Sequence, residues 1–307
     1  LHQYDSSPFA YKARLLMGFK KLAWRSVEIP MVMPKPLLMP LTGGYRKTPV
    51  MQIGADIYCD TSLIARVLDR VQPAPGLYPK GQEASALLHA DWADHELFFL
   101  VIPILFQPAG LPHMLKLLSA EVMSKFPKDR EQLFAGGSGR RPSGPTSKNL
   151  LPTYLTALDA QLATRPFLLD DTPSIADFAT YHPVWFVRSN PGVASALDPY
   201  RNIVNWYERM FAFGHGQPEV MSGAEALEVA RGSTTQDTDA GDMPDPNGLK
   251  IGDAVVISAT DYGADPVKGV LVKSSLNEIA VRRSDERTGE VVVHFPRVGF
   301  KLMADKV

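Results

Sequence analysis

The sequence predicts a multidomain α/β plus all-α protein: a small α/β sheet, then an all-helical domain, then a small β-barrel or roll. Three observations carry this. Over residues 1–75, short apolar runs alternate with stretches of helical period. From 81 to about 231 the strand signals vanish and helical stretches follow one another. After 232–248, β-rich runs bounded by Gly, Pro, Asn and Asp return over 249–307. A length of 307 residues fits two or three domains better than one.

The elements follow in order. A short strand ends near Tyr4, and Ser7-Pro8 then opens a helix with Phe9, Ala13, Leu16 and Met17 on one face. Lys12, Arg14, Lys20 and Lys21 are expected away from that stripe. "AWRSVEI" (23–29) reads as a strand, and "PMVMPKPLLMPLTGGYRK" as a connection broken by proline and glycine. "TPVMQI" and "DIYC" are two short strands joined at Gly54-Ala55, and "TSLIARVLDRV" returns to a helical period. The order is β-α-β-loop-β-β-α. In the helical domain the segments are separated by "PAGLP", "AGGSGRRPSGP" and "RPFLLDDTP". "GSTTQDTDAGDMPDPNG" has almost no large apolar residue and reads as a flexible linker. "DAVVISA", "GVLVKSS", "EIAVRRS" and "EVVVHF" complete the chain as short strands.

Composition narrows the function classes. A net charge of −1 calls for neither nucleic acid nor an anionic membrane surface as a partner. The basic "VRRS" of the last segment is followed at once by "DER", which argues the same way. The longest apolar run, "LFFLVIPILF" (97–106), is too short to span a bilayer and is broken by Pro103. A single cysteine, Cys59, permits no internal disulfide and no cysteine-built metal site, and a reducing, cytoplasmic compartment is expected. No charged-then-apolar leader is visible, although the chain starts at Leu1 rather than methionine. His89 and His95 in "HADWADH" are six apart, a poor spacing for one helix face, so no metal is expected. Cys59 sits in a short apolar strand and reads as inert.

Four local signatures in register resemble the glutathione transferase superfamily. Ser7-Pro8-Phe9 stands at the start of the first helix, and Thr48-Pro49-Val50 before the third strand matches the family's cis-proline. Asp60-Thr61 precedes "SLIARVL" where the family has an acid followed by serine. "TPSIADFA" (172–179) matches its capping motif, with Ser174 and Asp177 structural. Together they span roughly residues 1–230. The resemblance implies a thioredoxin-like domain over 1–75, a helical domain over 81–231 and a homodimer, with glutathione as co-substrate. It places Val50, after Pro49, on the cysteinyl backbone and Asp60 and Thr61 on the γ-glutamyl group. Lys35, Arg46 and Lys47 are the candidates for the glycine carboxylate.

Physical chemistry supports that placement. The start of a helix offers free N–H groups to a carboxylate, and Asp60 beside it can pair with an ammonium. A cysteine thiol has a pKa near ~8.5, so a donated hydrogen bond and the first-turn N–H groups would raise the thiolate fraction. Ser7 is the first candidate for that role and Ser6 the second, while Ser7 as a plain N-cap remains the alternative. The expected activity is attack of the thiolate on an apolar electrophile. The rival is a non-catalytic fold of the same family, kept for binding or scaffolding, with the β-rich tail making the partner contact.

Overall fold

The computed structural model describes residues 1–236, 239–241 and 243–305. Its first unit follows the predicted order: β1 (His2–Gln3), α1 (Pro8–Phe19), β2 (Ala23–Glu28), α2 (Met39–Thr42), β3 (Val50–Ile53), β4 (Asp56–Cys59) and α3 (Thr61–Val71). β1 runs parallel to β2 and antiparallel to β3, and β3 is antiparallel to β4. The Thr48–Pro49 peptide is cis, as expected, and so are Met33–Pro34 and Ala74–Pro75.

Ser7 starts α1 with an extended backbone (φ −76°, ψ 119°), and its Oγ accepts the Ala10 N–H at 3.2 Å. The cations of α1 depart from expectation. Lys12, Arg14 and Lys20 are buried. The reason is that α1 packs against α3 on one side and a helix of the second domain on the other, so its polar face meets protein. Each cation therefore has a partner, as a buried charge requires. Lys12 pairs with Asp94 at 2.5 Å, Lys20 with Asp69 at 2.6 Å, and Arg14 bonds Gln3 and the Asp5 carbonyl.

The helical unit comprises α4 (Glu83–Trp92), a π-helical turn (Ala93–Leu97), α5 (Phe98–Leu105), α6 (Leu111–Lys116), α7 (Ala120–Leu133), α8 (Gly144–Leu162), α9 (Ile175–Arg188), a 3₁₀ turn (Ala194–Leu197) and α10 (Arg201–Phe211). α9 carries the predicted capping box: Asp177 Oδ2 accepts the Ser174 N–H at 2.9 Å. The other oxygen of Asp177 accepts the Leu168 N–H and the Trp206 indole N–H. That one carboxylate therefore joins the start of α9 to α10. No helix among the described residues is long and apolar enough to cross a membrane.

Residues 217–220, inside the stretch read as helical, form a strand instead. β5 (Gln217–Val220) runs parallel to β2 at the sheet edge, where Pro218 is tolerated because an edge needs no donor on its outer side. Gly214 and Gly216, at φ +62° and +70°, turn the chain from α10 into it. α11 (Gly223–Arg231) follows.

The β-rich segment is present as β6 (Ala254–Ala259), β7 (Val267–Ser274), β8 (Glu278–Asp285), β9 (Gly289–Pro296) and β10 (Phe300–Ala304). It packs on its own chain. β9 pairs parallel with β4, giving one ten-stranded sheet in the order β10-β6-β7-β8-β9-β4-β3-β1-β2-β5. Leu41, Val50, Ile57 and Cys59 share a core with Val255, Leu271, Val281 and Phe295. Burying side chains of that size contributes roughly 1.5–3 kcal/mol each, so apolar contact is a large part of what holds the join. Within the predicted linker, the Gln236 N–H and the Thr235 hydroxyl donate to Asp56, and Met243 N–H bonds the Ser274 carbonyl. Asp237, Thr238 and Asp242 of that linker lie outside the described residues.

Candidate functional site

Asp60 follows β4 with φ +75°, an uncommon conformation for a residue other than glycine, and it turns the chain sharply into α3. Its carboxylate caps the helix, accepting the Ser62 N–H at 2.9 Å and the Ser62 hydroxyl at 2.7 Å. Thr61 follows as the first helical residue. Its Oγ1 accepts a hydrogen bond from the Lys12 ammonium at 3.2 Å, which leaves the hydroxyl hydrogen free to donate elsewhere. Lys12 is held by Asp94, which in turn accepts from His182 at 2.9 Å. Burial raises the Asp94 carboxyl, but Lys12 and His182 outweigh it and bring the pKa down to about 2. Burial lowers His182, so its ring is neutral and Nε2 donates to Asp94.

Two adjoining cavities open here, of about 390 and 380 Å³. The first is lined by Thr48, Pro49, Asp60, Thr61, Ser62 and Arg66 of the α/β unit and faces Asp91, Asp94 and His95. Cations and carboxylates are mixed along it, which suits a zwitterionic ligand. The second is lined by Tyr4, Ser6, Ser7, Lys35, Arg46 and Arg130 at one end, with an apolar wall from α5 to α7. Phe9, Lys47, Thr48 and Tyr262 line both.

The predicted residues are thus divided between the cavities. Ser6 and Ser7 lie in the second, Pro49, Asp60 and Thr61 in the first. Val50 lines neither; it is fully buried and pairs with His2 and Cys59. Thr48, on the other side of the cis bond, faces both. Of the three cations named, Lys47 lines both cavities, while Lys35 and Arg46 line the second alone. Lys35 donates to the Arg46 carbonyl at 2.9 Å and to Thr48 Oγ1 at 3.0 Å, and Arg46 pairs with Asp129. Burial, then Arg130 and Arg46, push the Lys35 ammonium down to about 7. Tyr4 is a hydrogen-bond partner of Ser7, and burial raises its phenol. Cys59 is buried and its thiol is pushed well up, so it stays protonated.

Asp261 and Tyr262, in the loop between β6 and β7, escape sequence reading altogether. Asp261 pairs with Lys47 at 2.6 Å and lies 3.6 Å from His95. Hydrogen bonds to Asp261 and Asp91 hold the His95 imidazolium up to about 11. The Lys47 ammonium lies 4.0 Å from the centre of the Tyr262 ring, which also packs edge-on against Phe99. The loop is stitched to the connection between α7 and α8 by bonds from Ser138 N–H to the Thr260 carbonyl and from Gly139 N–H to the Asp261 carbonyl. Gly137 permits this approach, because a Cβ there would sit 1.9 Å from the Asp261 oxygen. No periodicity in "ATDYGADP" marks it as a wall of the site.

Comparison with known proteins bears on the whole chain. The family description "Glutathione S-transferase, N-terminal domain" matches residues 1–76, and "Glutathione S-transferase, C-terminal domain" matches 147–209. A GST-like protein from Pseudomonas syringae, known as a crystal structure, is 41% identical over 99% of this chain and 98% of its own, with a TM-score of 0.83. The chain belongs to the glutathione S-transferase superfamily. Other members share the fold alone. The beta-etherase LigF from Sphingobium sp. strain SYK-6 is 15% identical over 69% of this chain and 93% of its own, with a TM-score of 0.53. A glutathione S-transferase from Methylobacillus flagellatus, solved with glutathione bound, is 18% identical over 71% of this chain and 98% of its own, with a TM-score of 0.50. No curated protein matches. Almost all of each of those two chains is matched by about two thirds of this one, whereas the Pseudomonas protein matches it end to end.

Proposed function

We propose that this protein binds glutathione across the two cavities and activates its thiol for attack on an apolar electrophile. The observation that carries the reading is the placement of Asp60 and Thr61 at the start of α3, in a cavity whose Thr48 wall is shared with the cavity of Ser7. The γ-glutamyl group lies in the first cavity, its ammonium on Asp60 and its carboxylate on the Thr61 hydroxyl and the α3 N–H groups. Lys47, which lines both cavities, takes the glycine carboxylate in place of Asp261. Lys35 serves the second cavity instead. The cysteinyl backbone passes along Thr48 and Pro49 toward Ser7, with Ser6 the neighbouring alternative; Val50, which lines neither cavity, only anchors that edge in the sheet.

At Ser7 the thiol gives its proton to water, and the serine hydroxyl donates a hydrogen bond to the remaining thiolate. Sulfur then forms a bond to the electrophilic carbon, and the electron pair leaves with the displaced group or stays on the adduct. The protein acts in a reducing cytoplasm, as a homodimer, and sedimentation velocity reads the latter.

Titration calorimetry with glutathione tests the reading. Asp60→Ala and Thr61→Ala are each expected to weaken binding by about 1–3 kcal/mol, through lost charged hydrogen bonds. No heat at millimolar glutathione in the wild type favours the non-catalytic binding role.

Ser7→Ala separates capping from chemistry. Loss of the Ala10 bond is expected to cost about 1 kcal/mol of stability. Loss of a donor to the thiolate also raises the pKa of bound glutathione, read from thiolate absorbance. Ser6→Ala is the control. Equal pKa values in all three proteins would leave both serines as helix punctuation.

A further inference from the structure

We propose that the second cavity takes an apolar compound bearing a carboxylate, with the carboxylate against Lys35, Arg46 and Arg130 and the hydrocarbon against the aromatic wall. This deepens the transferase reading by naming the class of the second substrate, and rests on that reading only for the substrate role.

The charges lining the two cavities differ in kind. The first presents Asp60, Asp91, Asp94 and Asp261 beside its cations. The second presents Lys35, Arg46, Lys47, Arg130 and Arg141, and no carboxylate among the described residues lines it. Behind the wall, Asp129 is the carboxylate that Arg46 and Arg130 share. Both its oxygens are used: Oδ1 accepts from Arg46 and the Met33 N–H, and Oδ2 accepts from Arg130. Three cations thus face one saturated carboxylate.

Lys35 is the informative group. It is 3% exposed, and no carboxylate lies within ion-pair distance of it among the described residues. An ammonium has three hydrogens to donate, and the Arg46 carbonyl and Thr48 hydroxyl account for two. The third is available to a ligand. The charged groups around Lys35 are Arg46, Arg130 and Asp129, and Tyr4 presents its ring at 5.9 Å. Burial beside two guanidinium groups costs Lys35 its proton near neutral pH, and a bound anion reverses the balance. Arg141 is exposed at the rim, over the Phe134 ring at 4.5 Å. Phe98, Phe99, Ile102, Met114 and Leu117 supply the apolar wall, and a volume of about 380 Å³ is ample for a medium-chain or aromatic acid.

Octanoate and 1-octanol, titrated into the full-length protein without glutathione, isolate the carboxylate. Octanoate is expected to bind at least tenfold more tightly, and Lys35→Met to remove most of that margin while octanol affinity stays. Octanoate binding should also take up a fraction of a proton, read from heats in phosphate and in Tris, with none for octanol. That readout needs no variant. Equal affinities for the two ligands in the wild type, or a preference without proton uptake, overturns the proposal. Glutathione titrations are separate, so a failure here and a failure of the transferase reading are told apart.

Discussion

His294→Ala is expected to destabilise the join between the α/β unit and the C-terminal strands by about 3–5 kcal/mol, because it leaves the buried Asp56 carboxylate without a charged partner and takes a hydrogen bond from buried Glu278. His294 lies in β9 with no exposed surface, opposite Tyr58 of β4. Its Nδ1 donates to Glu278 at 2.6 Å and its Nε2 to Asp56 at 3.1 Å, so both ring nitrogens carry protons. Burial opposes that charge, and the two carboxylates overcome it and raise the pKa. Lys273 approaches Glu278 at 3.6 Å, but Asp56 has only His294 as a charged partner among the described residues. The pH dependence follows. A raised histidine contributes stability that is complete below about 6.5, its unfolded value, and is lost as pH rises through the folded value. Burial raises Asp56 too, but its hydrogen bonds from His294, Thr235 and Gln236 depress it overall. Its contribution is present above about 3.8 and lost as pH falls through the folded value. The gap between wild type and variant should therefore be widest from about 4 to 6.5, measured by urea denaturation. A gap under about 1 kcal/mol at pH 5.5 would show that the seam rests on apolar packing alone.

Asp94→Ala should cost a similar amount, about 3–5 kcal/mol, for the reason that breaking one side of a buried pair leaves the other charged and alone. Lys12 has no exposed surface and would keep only the Thr61 hydroxyl as partner. Asp94 is depressed to about 2, so its contribution is present above about 3.8 and disappears as pH falls through about 2. Removing both charges, as Lys12→Met with Asp94→Leu, is expected to recover most of the loss, because well-packed apolar groups replace such pairs at little cost. A double-mutant cycle in urea reads the coupling. Additive effects of the two single changes would mean that Lys12 and Asp94 do not act as a pair. The Lys12→Met protein also loses the bond to Thr61, so under the proposed glutathione reading its affinity for that ligand should fall even where it remains folded.

The sequence by itself determined what short stretches of chain decide. Ser7 before Pro8, the Ser174–Asp177 box, Thr48-Pro49 before β3 and the helical period of α3 are relations among residues a few positions apart. Backbone geometry and local hydrogen bonds set them wherever they occur. The alternation of strand and helix in the first 75 residues and the β-rich end were legible in the same way. Tertiary structure alone decided which face each charge meets and which edge each strand joins. Lys12, Arg14 and Lys20 carry a solvent-facing pattern, and they are buried only once the rest of the first unit and a helix of the second domain pack around α1. β9 reads as a short apolar run of β-branched residues. That it docks on β4, bringing His294 to Asp56 across 238 positions, depends on complementary faces and matched charges with no local trace. Asp261 reaches the first cavity and Tyr262 both for the same reason: Asp261 and Lys47 are 214 positions apart, and their ion pair exists only once the C-terminal strands have docked on the first unit.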